Sequence, residues 1–147
     1  MLNLKDYRDY WEGVARRVPE ISGAMPVTAD EAMAKRIMGL SSGSVTLFYL
    51  PPAAESEARN ADAFRESNEC VVFVMEKYDT LRRAAFDVLE SSKPAIERVK
   101  ALMLADMAGG CPLMRFDPAT MNTLPETGFF AGFAGWSLGF KVYSHGV

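Results

Sequence analysis

The chain has 147 residues, 49% of them hydrophobic and 24% charged, which suits one folded domain and excludes a disordered chain. A formal net charge of −3, with basic residues scattered in pairs such as Arg16–Arg17 and Arg82–Arg83, argues against a nucleic-acid or anionic-lipid partner. Cys70 and Cys111 are too few for a disulfide scaffold, and Met1–Tyr10 is not a basic stretch leading into an apolar run, so reduced thiols and a cytoplasmic location are expected.

In chain order, Leu4, Tyr7, Trp11, Val14 and Val18 recur at spacings of three and four, which predicts an amphipathic helix ending before Pro19. Glu20–Val27 contains a glycine and Pro26 and reads as a connector. Thr28 with Glu31 forms a capping box, predicting a short helix over Ala29–Met38 with Gly39 as its stop. Val45–Leu50 is β-branched and aromatic, hence a strand, ended by Pro51–Pro52. The next stretch, Pro51–Glu69, carries five acids and two bases, a net −3 equal to that of the whole chain. Its polarity predicts a partly helical, mobile excursion rather than part of the core.

Cys70–Met75 is almost wholly apolar and predicts a central strand covered on both faces. Leu81–Ala108 reads as two helices, or one kinked helix, around Pro94. Within Ala101–Ala108 only Asp106 is polar, so the helix there must be covered on nearly every side. Gly109–Gly110 ends it, Leu113–Phe116 suggests a short strand, and a loop runs through Pro118 and Pro125. Gly128, Gly132, Gly135 and Gly139 share the spacing of a helical seam with Phe129, Phe133, Trp136 and Phe140. Four interior glycines would cost such a helix about 4 kcal/mol relative to alanine. The uncharged run Thr127–Phe140, 14 residues long, is also too short to span a bilayer. The alternation of Trp136, Leu138, Phe140 and Val142 predicts a strand over Trp136–Ser144 instead, after a glycine-bent Phe129–Gly135. The expected fold is a single α+β domain over residues 1–147, a small, mostly antiparallel sheet with helices packed on one face.

Candidate chemistry is sparse. The one histidine, His145, is third from the end of the sequence, and two distant cysteines supply no zinc-ligand spacing with it. Cys111, in Gly109–Gly110–Cys111–Pro112, is the sharpest nucleophile candidate, but it follows a helix C-terminus whose dipole disfavours a thiolate. Cys70 reads as core. Asp106 reads either as a buried base or as the window of its helix onto solvent, the second being the simpler reading. Glu55, Glu57, Asp62, Glu66 and Glu69 read as a solvated loop rather than a metal site. No phosphate loop, nucleophile turn or cofactor motif is present, so no cofactor is expected.

Nine methionines, several beside the least amphipathic helix, suggest adaptable apolar surface. The layout of Val45–Leu50, Cys70–Met75, Leu81–Ala108 and Trp136–Tyr143 resembles that of small phage or prophage tail-assembly proteins. That resemblance implies a non-catalytic oligomer. Self-association or another protein is the expected partner, with no nucleic acid, as the charge suggests, and no membrane, since the longest uncharged run is too short to span one. Leu102, Met103 and Met107 are the expected contact residues, on the helix that most needs covering. The alternative is a small-molecule-binding domain or enzyme with a pocket near Cys111, between sheet and helices.

Overall fold

A computed structural model describes residues 1–28, 31–57, 60, 65–128 and 130–145. Helix α1 (Leu4–Arg17) begins at Asn3, whose side chain accepts a hydrogen bond from the Asp6 amide at 3.0 Å. It buries Tyr7, Trp11, Val14 and Ala15 along one stripe, as its periodicity requires. Strand β1 (Gly23–Pro26) follows, then α2 (Glu31–Met38), β2 (Val45–Tyr49), β3 (Ala53–Ser56) and β4 (Arg65–Lys77). Helix α3 (Ala85–Ala108) leads through two 3₁₀ turns, Pro112–Met114 and Pro118–Thr120, to β5 (Asn122–Glu126) and β6 (Phe133–His145).

The six strands form one sheet in the order β1-β2-β4-β6-β5, with β3 pairing the N-terminal part of β4. β1 runs parallel to β2 and the other pairings are antiparallel, so the sheet is mixed rather than wholly antiparallel. β4 and β6 pair without interruption from Arg65–His145 to Lys77–Phe133. Side chains alternate across this ladder. Cys70, Val72 and Val74, with Leu138, Phe140 and Val142, join the core beneath α1 and α3. Phe73 and Met75 point to the other face, where they meet Phe48, Phe133 and, from α2, Ile37. The α+β class holds, but helices pack on both faces, not on one.

Several expected elements change for identifiable reasons. The acidic segment is not a partly helical excursion where it is described: Ala53–Ser56 is a strand paired to Glu66–Glu69. All four β3 residues are exposed, so no apolar alternation marked it. β1 and β5 contain Pro26 and Pro125, which an outer strand tolerates because its missing amide faces away from the ladder. The expected strand over Leu113–Phe116 is instead a 3₁₀ turn, with Phe116 making an isolated bridge to Val142. The capping box at Thr28–Glu31 spans residues 29 and 30, outside the described residues.

α3 runs through Pro94 as a single helix of 24 residues. Proline removes the amide that would bond the carbonyl of Glu90, and both residues lie on the exposed side, where water can replace that bond. On the sheet side the Trp136 indole donates to the Leu89 carbonyl at 3.1 Å, and the Ser92 hydroxyl donates to the Val88 carbonyl at 2.7 Å.

Two glycines in the C-terminal region are required by geometry. Gly132 has φ +76° and carries the turn into β6, where its carbonyl accepts from the Tyr78 amide at 2.9 Å. At Gly135 a Cβ would stand 2.0 Å from the Val74 carbonyl oxygen and 2.8 Å from Met75 Cα. Gly139, four residues along, has its nearest such neighbour at 4.0 Å. Gly135→Ala is therefore expected to lower unfolding free energy by about 3 kcal/mol or more, and Gly139→Ala by less than about 1 kcal/mol, in urea titrations. Equal effects would show that β6 lies further from β4 at Gly135 than this geometry has it.

Candidate functional site

The polar groups that the fold gathers outside the strand ladder lie mainly at the two ends of α3. At its C-terminal end, the Asp106 carboxylate accepts from the Tyr10 hydroxyl at 2.8 Å and from both terminal nitrogens of Arg17, at 3.0 and 3.1 Å. Tyr10 and Arg17 are seven residues apart on α1, which places them on the same side of that helix. Asp106 is thus not a simple window onto solvent but a tie between α1 and α3. The Arg17 guanidinium holds its carboxyl below the ordinary carboxylate range, against the opposing effect of burial. Burial, reinforced by the hydrogen bond to Asp106, pushes the Tyr10 phenol above its ordinary value. With both oxygens engaged, this carboxylate is a clamp and is poorly placed to act as a base.

Cys111 follows directly, its amide bonded to the Asp106 carbonyl at 3.0 Å and its side chain partly exposed. Cys70 is instead buried on β4, beneath α1 and beside the Tyr7 hydroxyl. Burial pushes its thiol up to about 12. His145 closes β6 opposite Arg65. The structure therefore brings Asp106 and Cys111 together at one end of α3, while Cys70 lies buried on β4.

At the N-terminal end of α3, Glu76 is buried and binds Arg83 through one carboxylate oxygen. Its other oxygen accepts from the Ser91 hydroxyl at 2.8 Å. This arrangement joins the end of β4, the turn before α3 and the second turn of the helix. A buried carboxylate satisfied on both oxygens is structural, since an unpaired one would be strongly destabilising. Among the described residues no three His, Cys, Asp or Glu side chains gather as metal ligands. No helix of the described chain is long and apolar enough to cross a membrane.

Two apolar features among the described residues lie on opposite sides of the sheet. On one side the last two turns of α3 leave Ala101, Leu104, Ala105 and Ala108 exposed, with Leu104 at 41%. Of the expected contact residues, Leu102 and Met107 are half-buried along the borders of this strip. Met103 points inward and is fully buried, so the folded chain does not offer it for contact. On the other side, a cleft of about 360 Å³ opens between α2 and the segment before β6. Val27, Ala34, Ile37, Met38, Phe130 and Ala131 line it. Sequence reasoning missed this cleft because its walls come from segments about 100 residues apart. No family model, curated protein or solved structure matches the chain.

Two outcomes follow from this geometry. A thiol reagent should label Cys111 in the native protein and Cys70 only after unfolding, read by mass spectrometry; native labelling of Cys70 would refute its place in the core. For Asp106 the folded-state pKa lies below the unfolded one, so its clamp stabilises the fold above the unfolded value. That contribution is lost as pH falls through the folded value. Asp106→Asn should cost about 1 kcal/mol at neutral pH, a modest figure because the Arg17 side chain is 48% exposed. The difference from wild type should stay level from about pH 8 to pH 5 and narrow only below about pH 4. A difference that persists unchanged in acid would remove the ionic part of the clamp.

Proposed function

We propose that the protein is a non-catalytic assembly protein that works as a homo-oligomer. The observation that carries this reading is the outward face of α3 over Ala101–Ala108. The sequence demands cover for a helix whose only polar residue there is Asp106, and Asp106 is tied to α1. The described chain covers Met103 but leaves Ala101, Leu104, Ala105 and Ala108 to solvent. An uncharged helical face of this length favours contact with another chain, since apolar area removed from water contributes about 25 cal/mol per Å². The order of elements that resembles small phage or prophage tail-assembly proteins leads to the same class of function. Fold alone does not specify function, so the reading rests on the surface.

The test is the solution mass by light scattering at tens of micromolar. The wild-type protein should have a mass of several chains, and Leu104→Glu should lower it while leaving the circular dichroism spectrum unchanged. Met103→Glu should instead unfold the chain, because it places a charge in the core. A wild-type mass of one chain at these concentrations would refute self-assembly.

A further inference from the structure

A polar notch of about 280 Å³ lies where β1 meets β2, bordered by the turn that runs from Gly39 to Ser44. Gly23 and Thr46 are register partners in this parallel pair, so they share one face of the sheet. A Cβ on Gly23 would meet no other atom within 4 Å, and the missing side chain leaves open the space beside Thr46. Thr46 lines the notch and is only 3% exposed, yet its hydroxyl has no hydrogen-bond partner among the described residues. Buried polar groups without partners are uncommon, because each has given up hydration with nothing in return. We propose that this notch binds a small uncharged polyhydroxy compound, a single sugar ring or a polyol, anchored on the Thr46 hydroxyl. The site is independent of the self-assembly reading above.

The lining selects this chemistry. Ser22, Ser41 and Ser44 add three hydroxyls to that of Thr46, and no charged side chain lines the notch among the described residues. The Lys77 ammonium, which reaches the Leu40 carbonyl behind the lining, is already engaged by that carbonyl and by the carbonyl of Met38. An ionic ligand would therefore lose hydration without meeting a free counter-charge, and an apolar one would leave the Thr46 hydroxyl unpaired. A hydroxyl both donates and accepts, so hydroxyls on a ligand can pair with those of the lining in either direction. Ser44 already donates to the Ser41 carbonyl and so meets the ligand as an acceptor. Ala24, Met25 and Leu40 supply apolar wall for the C–H faces of such a compound. The volume lies below the range of pockets that take drug-sized ligands, which suits one ring rather than an oligosaccharide.

The experiment is a titration followed by amide-resolved NMR, with glucose, myo-inositol and sorbitol each taken to tens of millimolar, and with acetate and inorganic phosphate as charged comparisons. At least one neutral compound should shift the amides of Gly23, Ala24, Leu40 and Thr46 along a saturating curve. Exclusion of sugars from protein surfaces also stabilises folds, but it neither saturates nor singles out one site. Two variants locate the binding. Thr46→Val removes the hydroxyl and keeps the shape, whereas Gly23→Val fills the space, at a residue whose φ is not positive. Each should weaken binding at least tenfold. Thr46→Val should also hold or raise the urea midpoint, since it deletes a buried hydroxyl that lacks a partner. Absence of saturating shifts at these amides with all three neutral compounds overturns the site, as does undiminished binding in either variant. If acetate or phosphate perturbs the same amides at lower concentration than any neutral compound, the ligand is an anion and the polyhydroxy class is refuted. A lowered urea midpoint in Thr46→Val would show that the hydroxyl is satisfied within the fold, which removes the anchor.

Discussion

Every layer of the protein is hung on the antiparallel ladder between β4 and β6, in which Arg65 faces His145 and Lys77 faces Phe133. A ladder of this length has two faces whose side chains alternate without a bulge, so a register shift of one residue would exchange the two cores. One face carries α1 and α3 and the larger core; the other carries α2 and the smaller aromatic cluster around Phe48, Phe73 and Phe133. The close approach at Gly135 helps to fix this register. A residue with a side chain there cannot lie against the Val74 carbonyl without moving the strand.

Helix placement then follows from how each helix is anchored to that ladder. α3 is held on the sheet by the indole of Trp136 and at its start by the Glu76–Arg83–Ser91 contacts. Its far end is tied to α1 by Asp106. Of the residues weighed as chemistry in the sequence, Asp106 is thus engaged in holding helices in place. Two open apolar surfaces among the described residues, the outward face of α3 and the α2 cleft, lie on either side of the sheet.

The parts of this fold that were legible in the sequence are those whose burial imposes a period. α1, β2, the Cys70–Met75 core of β4 and the Trp136–Ser144 stretch of β6 could be read because one or both faces are apolar. β3 could not, since its four residues are all exposed and its pairing with Glu66–Glu69 depends on backbone groups alone. β1 and β5 resembled loops because proline at an outer strand looks the same in sequence as proline in a turn. At the candidate sites, the sequence marked Asp106 as anomalous but could not supply Tyr10 and Arg17, which lie about 90 residues away. It also named Met103 with its neighbours, because composition shows that a helix is apolar without showing which side the sheet takes.

The pairing of β3 with the N-terminal part of β4 divides the sheet into two cooperative tiers. β2 and β3 share one side of β4, and only β2 contributes side chains to a core. The hydrogen bonds of β3 therefore have little buried area behind them, and this finger can open while the β2–β4–β6 centre stays folded. Amide exchange would then occur on two separate scales along a single continuous strand. Amides of Glu66–Glu69 that bond β3 would exchange by local opening, whereas those of Val72–Glu76 would exchange only with global unfolding.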